Sequence, residues 1–174
     1  MNIAIIGVGN ILFCDDGIGV AVVKVLEQCY KFSPSIDIID GGTLGIGLIN
    51  YFSIYDNIII LDTISLDDEV GSIYSFPSNE LLDLNGYKNT AHEVEVVDML
   101  RSSMMLEKCA KVEIVAIVPF DINRVSIGLS DELGIYFEPY LKTVLNKIES
   151  MNIKINKIKE YNITNILQEL TSLN

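Results

Sequence analysis

The sequence is poor in residues that several common kinds of functional site require. It has a single histidine, His92, so any mechanism that needs an imidazole must use that residue. Its three cysteines stand far apart, and none belongs to a CxxC pair. This spacing argues against a disulfide framework or a zinc knuckle, and we expect reduced thiols that mostly pack in the interior.

Basic residues are also scarce, because 12 lysines and arginines stand against 24 acidic residues and leave a net charge of −12. Proteins that bind DNA or RNA use lysine and arginine to neutralise phosphates, so nucleic acids and anionic membrane surfaces are unfavourable partners. The apolar N-terminal stretch lacks a basic leader and is interrupted from Gly7 onward, too early for a signal peptide or a membrane span. We expect a cytoplasmic protein that acts as a monomer without a membrane partner.

Apolar segments of strand character alternate with segments of helical period, and the hydrophobic content of 49% suits one compact domain. The predicted strands are Asn2–Gly7, Ile36–Asp40, Asn57–Asp62, Val70–Phe76 and Val112–Pro119. The predicted helices are Gly17–Cys29, Leu44–Phe52, Glu93–Leu106 and a longer one from Ser130 to Glu149. Strands that are apolar throughout are typical of a sheet covered on both faces. The pattern predicts an α/β three-layer sandwich with a mainly parallel sheet.

The last part of the chain differs in composition from the rest. Residues 151–174 are rich in asparagine, isoleucine and lysine, and their three lysines and two glutamates give a net charge of +1. Since the whole chain has a net charge of −12, residues 1–150 carry a net charge of −13. We predict a main domain over residues 1–150 and a C-terminal extension over 151–174, with a strand and an amphipathic helix packed on the body.

The first candidate site lies in the loop between the first strand and the first helix, where α/β proteins bind ligands. A dinucleotide loop needs a third glycine at the position that Leu12 occupies here, and Asp15 and Asp16 would repel a pyrophosphate. The two aspartates have a simpler interpretation, because either could cap the helix or interact with its dipole. Both interpretations stay open from the sequence.

The second candidate residue is Asp62, which ends the predicted strand Asn57–Asp62. Such an aspartate can simply start a turn. Right-handed crossovers, however, place the first and third predicted strands side by side and bring Asp62 close to Asp16. Two carboxylates in one crevice are costly unless they share a proton or bind a cation.

His92 stands just before a predicted helix, where a lone histidine is commonly a surface or capping residue. Glu93 is not followed by a second histidine at HExxH spacing, and no GxSxG motif exposes a serine nucleophile. Asp16, Asp62 and His92 together would form a mixed oxygen and nitrogen donor set that suits a divalent metal.

Four motifs in this order resemble the hydrogenase maturation endopeptidase family over roughly residues 1–145. They are Gly7–Leu12 with Asp15–Val20, then Asp40–Gly45, then Leu61-Asp62, and lastly His92. The resemblance implies a five-stranded twisted sheet between helices and an aspartyl-type endopeptidase. Its implied substrate is the precursor of a nickel-iron hydrogenase large subunit, which loses a C-terminal extension after nickel insertion.

The resemblance also implies roles for individual residues. Asp16, Asp62 and His92 would contact nickel that the precursor supplies, and zinc or cadmium could occupy the same site in vitro. Asp40 would join Asp16 and Asp62 as a catalytic candidate, either as a general base or by positioning the peptide. Gly41, Gly42 and Thr43 would bind the substrate, since glycines permit close backbone approach. The simpler interpretation is a Gly-Gly turn with Thr43 as the helix N-cap.

Two other functions remain as alternatives. An autonomous zinc metallohydrolase would use the same three ligands and retain its metal tightly. A non-catalytic module would bind hydrogenase precursors without cutting them.

Overall fold

The computed structural model describes residues 1–83, 91–106 and 109–172, without the side chains of residues 82, 83, 91–95, 171 and 172. The strands are β1 (Ile3–Val8), β2 (Tyr30–Ser33), β3 (Asp37–Gly42), β4 (Asn57–Thr63), β5 (Ile73–Pro77), β6 (Lys111–Ile117) and β7 (Lys154–Lys157). The α-helices are α1 (Ile18–Cys29), α2 (Ile49–Ile54), α3 (Ser78–Asp83), α4 (Ala91–Ser103), α5 (Asp131–Gly134), α6 (Phe137–Ser150) and α7 (Ile163–Ser172). Short 3-10 helices, Cys14–Gly17 and Gly45–Leu48, precede α1 and α2.

Five strands form the central sheet in the order β3-β1-β4-β6-β5. Strand β1 pairs in parallel with β3 and β4, and β4 pairs in parallel with β6. Only β5 runs antiparallel, at the edge beside β6. The predicted neighbourhood of the first and third strands is therefore confirmed, because β1 and β4 are adjacent and the chain reverses direction between them.

Both faces of the sheet are covered by helices, as the continuous apolar strands predict. On one face Ile5 and Ile59 pack in a core with residues of α1 and α6. On the other face Ile58 and Ile60 pack with residues of α2 and α4. Alternate residues of one strand thus enter opposite cores, and the predicted three-layer α/β sandwich with a mainly parallel sheet is confirmed.

Several predicted element bounds were wrong for local reasons. The single helix expected from Ser130 to Glu149 is two helices, α5 and α6, and glycine, a weak helix former, occupies position 134 at the end of α5. The strand expected from Val70 begins only at Ile73, because Gly71 has a φ of +85° in the preceding turn. Strand β2 and helix α3 were not predicted, since each is short and neither has a clear apolar period.

The C-terminal segment contains β7 and α7 and packs on the body. Strand β7 pairs with β2 in a separate antiparallel ribbon. Ile153 and Ile166 are buried in the same core as α1, and Gln28 donates a 2.7 Å hydrogen bond to Glu169. The division into residues 1–150 and 151–174 stays a prediction. Among the described residues, every helix is too short or too polar to cross a lipid bilayer.

Candidate active site at the carboxyl edge of the sheet

Three neighbouring strands bring the candidate residues to one edge of the sheet. Gly7 of β1 is in register with Asp40 of β3 on one side and with Leu61 of β4 on the other. Asp62 is the next residue after Leu61. Asp40 and Asp62 therefore lie at the carboxyl edge on either side of β1, where parallel sheets place their ligand sites.

The first turn of α1 packs tightly against this edge. A Cβ atom on Gly19 would clash with the backbone carbonyl oxygens of Val8 and Leu61, so only glycine permits this approach. The preceding 3-10 helix, Cys14–Gly17, also contacts β4. Asp16 in that helix and Asp62 in β4 thus share the same edge of the sheet.

Asp16 and Asp62 are both buried carboxylates. Asp16 accepts a 2.7 Å hydrogen bond from the backbone N–H of Asn10, and Asp62 accepts one of 2.7 Å from the N–H of Thr63. Buried carboxylates interact strongly with nearby charges, because little water screens them.

His92 is the second residue of α4, and its side chain lies outside the described residues. Among the side chains that are described, no group of three or more His, Cys, Asp and Glu could hold a metal ion. The set of Asp16, Asp62 and His92 therefore stays a prediction.

An open cleft of about 280 Å³ lies at this edge, lined by Asp40 but by neither Asp16 nor Asp62. Its walls include residues 9–12 of the loop after β1, together with Val20, Asp40, Gly42 and Thr43. Partial desolvation raises the pKa of Asp40, although the N–H of Gly42 and the charge of Lys24 act in the opposite direction. A carboxylate with a raised pKa that opens onto a cleft is a candidate general base, because it accepts a proton more readily than an ordinary aspartate.

The backbone around Gly41 and Gly42 explains why glycines occupy these positions. A Cβ atom on Gly41 would lie 2.8 Å from a methyl carbon of Ile6, so a side chain would force a shift. Gly42 has a φ of +43°, and its carbonyl accepts a 3.0 Å hydrogen bond from the N–H of Gly9. Its own N–H donates to Asp40 at 3.0 Å. This loop is thus fixed to the loop after β1 and forms part of the cleft wall.

Thr43 is exposed in the cleft and does not cap the next helix. The residue at the N-cap is Leu44, and the cap has no side-chain hydrogen bond. The alternative of Thr43 as an N-cap was therefore wrong, because the 3-10 helix Gly45–Leu48 begins one residue later than that position requires.

Asp15 has a structural role that the sequence did not reveal. Its buried carboxylate accepts hydrogen bonds from the backbone N–H groups of Phe120 (3.0 Å), Asp121 (2.9 Å) and Ser130 (2.7 Å), and from the Ser130 hydroxyl (2.9 Å). The 3-10 helix and α1 both start without a side-chain cap. The interpretation of Asp15 or Asp16 as a side-chain cap was wrong, because Asp15 binds donors of a distant loop and Asp16 accepts from the N–H of Asn10. Both acids do lie in the first turn of the 3-10 helix, where they can interact with its dipole.

Tyr140 is a second residue that sequence reasoning missed. It is fully buried in α6 and donates its hydroxyl to the carbonyl oxygens of Val115 (2.7 Å) and Asp62 (3.2 Å). Burial and the nearby charge of Asp62 raise its pKa well above the ordinary value, so the hydroxyl remains a donor. Tyr140 thereby connects α6 to the backbone of a candidate site residue.

Residues 20–147 match the sequence model of the hydrogenase maturation protease family. The chain is 31% identical over 156 residues to the hydrogenase 2 maturation protease of Escherichia coli, covering 88% of this chain and 94% of that protein.

Solved structures agree with this match. The hydrogenase maturating endopeptidase HybD from E. coli superposes with a TM-score of 0.81 at 30% identity, over 90% of this chain and 98% of that one. The maturation protease HybD from Thermococcus kodakarensis gives a TM-score of 0.68 at 25% identity, over 84% of this chain and 99% of that one. Together with the carboxylates at the sheet edge, these likenesses lead to one conclusion: the chain belongs to the hydrogenase maturation protease family.

Proposed function

We propose that this protein is an endopeptidase that removes the C-terminal extension of an immature nickel-iron hydrogenase large subunit after nickel insertion. The supporting observation is the arrangement of three acids at one sheet edge. Asp40 opens onto the cleft, while the buried carboxylates of Asp16 and Asp62 lie at the same edge. In this arrangement an extended peptide could lie along the cleft beside Asp40, while a cation that it carries contacts Asp16 and Asp62.

Nickel belongs to the substrate in this proposal. It arrives in the precursor, and Asp16, Asp62 and His92 supply the protein's contacts to it. Carboxylate and imidazole donors suit a divalent transition metal, and a cation would offset the repulsion between two buried carboxylates. Zinc or cadmium would compete for the same donors in vitro. Recognition of the metal would restrict cleavage to precursors that already carry it.

Asp40 is the residue that the proposal assigns to proton transfer. Its carboxylate would take a proton from a water molecule that attacks the scissile carbonyl carbon. The carbon–nitrogen bond then breaks, and the departing amine receives the proton. Asp16 and Asp62 would act at the same step by fixing the position of the precursor relative to Asp40.

Substrate binding would use the backbone beside Gly42 and the exposed side chain of Thr43. Both line the cleft, and the missing side chain at Gly42 lets a peptide backbone approach closely. The protein would work as a monomer in the cytoplasm, an environment in which its three free cysteines would stay reduced.

The experiment incubates the purified protein with nickel-loaded and with nickel-free precursor, and detects the released C-terminal fragment by mass spectrometry. We expect cleavage of the nickel-loaded precursor alone. Equal cleavage of both forms, with zinc that survives equilibrium dialysis, would instead identify an autonomous metallohydrolase. A stable complex without any released fragment would identify a non-catalytic binding module.

A further inference from the structure

Two loops beside the cleft expose an unusual number of apolar side chains. We call this surface the apolar rim. It comprises Leu12 (48% exposed), Phe13 (36%), Phe120 (52%), Val125 (76%) and Ile127 (56%). Clusters of exposed apolar residues are uncommon on monomers and commonly mark a site of protein interaction.

Backbone hydrogen bonds hold the two halves of the apolar rim together. Ser126 donates its N–H to the carbonyl of Leu12 at 3.0 Å, and its own carbonyl accepts from the N–H of Cys14 at 2.9 Å. Ser126 and Phe13 form an isolated parallel bridge. The residues on either side of Ser126 are Val125 and Ile127, so both lie next to the loop that carries Leu12.

Asp15 fixes the second loop at both of its ends. Its carboxylate binds the N–H groups of Phe120 and Asp121 at the start of the loop, and Ser130 at the end. A surface built by a buried carboxylate with four donors is largely formed before a partner arrives. Preorganisation of this kind lowers the entropic cost of binding.

The apolar rim is continuous with the cleft of the candidate active site. Leu12 belongs to both, because it lines the cleft and is half exposed beside Ser126. Asn10 and Ile11 continue the same wall toward Asp40. A polypeptide that lies in the cleft can therefore extend over the apolar rim without a gap.

The charges on these loops indicate the chemistry of the occupant. Asp15 is buried with its four donors, and Asp121 accepts from the N–H groups of Asn123 and Arg124 at 2.9 and 3.0 Å. Arg124 also pairs with Asp121 at 3.8 Å. The charged side chains of this loop thus pair with one another or with groups of the same two loops, and the exposed side chains that a partner meets there are mainly apolar. An uncharged, apolar segment fits best.

We propose that the apolar rim binds an uncharged, apolar segment of the precursor that adjoins the scissile bond. The inference rests on the proposed function, since the occupant is part of the same substrate. Contact with the rim would position the chain that enters the cleft, and would contribute to selection among precursors by sequence as well as by metal content.

The test replaces Val125 or Ile127 with aspartate and compares each variant with Ile158→Asp. Ile158 is 50% exposed, and its N–H bonds to Cys29 at the far end of α1, so this control adds the same charge away from the site. We expect each rim variant to raise KM for the nickel-loaded precursor roughly tenfold, the usual effect of losing an important interface contact. We expect Ile158→Asp to match the wild type, and all three to melt near the wild-type temperature.

Direct binding of the nickel-loaded precursor, measured by titration calorimetry, separates the rim from the proposed cleavage. Roughly tenfold weaker binding by both rim variants would support the proposed binding role of the apolar rim. That conclusion holds even if the wild type releases no fragment, because the absence of cleavage contradicts only the proposed endopeptidase activity. If the wild type cleaves the precursor and both rim variants keep its KM and its affinity, the proposed role of the apolar rim is wrong and the proposed endopeptidase activity is retained. A wild-type dimer that the rim variants dissociate, with unchanged precursor affinity, would assign the surface to a second copy.

Discussion

The carboxylate of Asp15 binds both the backbone N–H (2.7 Å) and the hydroxyl (2.9 Å) of Ser130, a residue 115 positions later in the chain. The Ser130 hydroxyl in turn accepts from the N–H of Leu133 at 3.1 Å and caps α5. One aspartate thus connects the loop after β1 with the start of α5, which lies more than a hundred residues later in the sequence. Its neighbour Asp16 lies at the candidate site, so adjacent acids have different roles.

We predict that Asp15→Ala unfolds more easily than the wild type. The substitution removes the acceptor of two buried donors, the N–H and the hydroxyl of Ser130, and of two partly buried N–H groups. Each unsatisfied buried donor costs about 1–3 kcal/mol, so a loss of about 2–6 kcal/mol is expected. Chemical denaturation measures the change. The control is Asp98→Ala on the surface of α4, where about 0–1 kcal/mol is expected. A denaturation midpoint for Asp15→Ala equal to that of the control would contradict the role of Asp15.

We predict that Asp16→Ala abolishes release of the C-terminal fragment and leaves the fold intact. Removing one of two buried carboxylates relieves repulsion, and water can reach the partly exposed Asn10 whose N–H the carboxylate binds. Ile59→Ala provides the contrast, because its cavity in the core should cost about 2–5 kcal/mol. Thermal melting and the fragment assay are run on both variants. A large fall in the melting temperature of Asp16→Ala would mark a structural residue.

The pKa of Asp40, raised by partial desolvation, gives two predictions of opposite sign for Asp40→Asn. Because the folded pKa exceeds the unfolded value near 3.8, the stabilising contribution is complete below that value and is lost as pH rises through the raised pKa. At neutral pH the charged group therefore opposes folding, and Asp40→Asn should melt at or above the wild-type temperature. Cleavage should nevertheless fall sharply, because an amide cannot accept the proton.

Asp37→Asn is the matched control for this experiment. Asp37 lies in the same strand and accepts a 2.8 Å hydrogen bond from Tyr55, a bond that an amide oxygen can also accept. We expect unchanged cleavage in this variant. If Asp40→Asn cuts the precursor as fast as Asp37→Asn, the assignment of Asp40 to proton transfer is wrong.

Cleavage should also depend on the protonation of His92. A proton competes with nickel for the same imidazole nitrogen, so cleavage should decline as pH falls through the ordinary histidine pKa of about 6.5. Initial rates between neutral pH and about pH 5 measure the effect. A flat profile over this range would remove His92 from the proposed ligands.

The fold could be predicted because its signals are local. Strands β1, β4 and β6 are apolar throughout, and the apolar spacing of α1 repeats at helical period. Strand β2 gave no such signal, because its four residues become a strand only by pairing with β7 more than a hundred residues later. Local patterns specify a sheet whose strands are buried on both faces, and miss a short ribbon defined by distant pairing.

The candidate site divides in the same way. The position of Asp62 could be predicted, since an acid at the end of an apolar strand must lie at the carboxyl edge of a parallel sheet. Asp40 was identified as a candidate only through the family resemblance. Asp15 could not be distinguished from Asp16, because its partners are backbone groups of Phe120, Asp121 and Ser130 that have no sequence signature. The sequence shows which side chains could act as acids or ligands. Only the tertiary fold shows which of two adjacent aspartates accepts hydrogen bonds from donors distant in the chain.

Gly42 allows the shape of the cleft to be tested separately from its charges. Its φ of +43° disfavours any residue with a Cβ atom, at about 1–2 kcal/mol for Ala, whereas Asn tolerates this region better. Space is not limiting, because the nearest atom to a Cβ here would be an Asp40 oxygen at an ordinary 3.6 Å. We therefore predict that Gly42→Ala destabilises the protein more than Gly42→Asn, as measured by denaturation. Both should impair cleavage, and Gly42→Asn more severely, since its larger side chain projects into the space that a peptide would occupy. A cleavage rate that followed stability alone, with Gly42→Asn the faster of the two, would show that no substrate passes beside this residue.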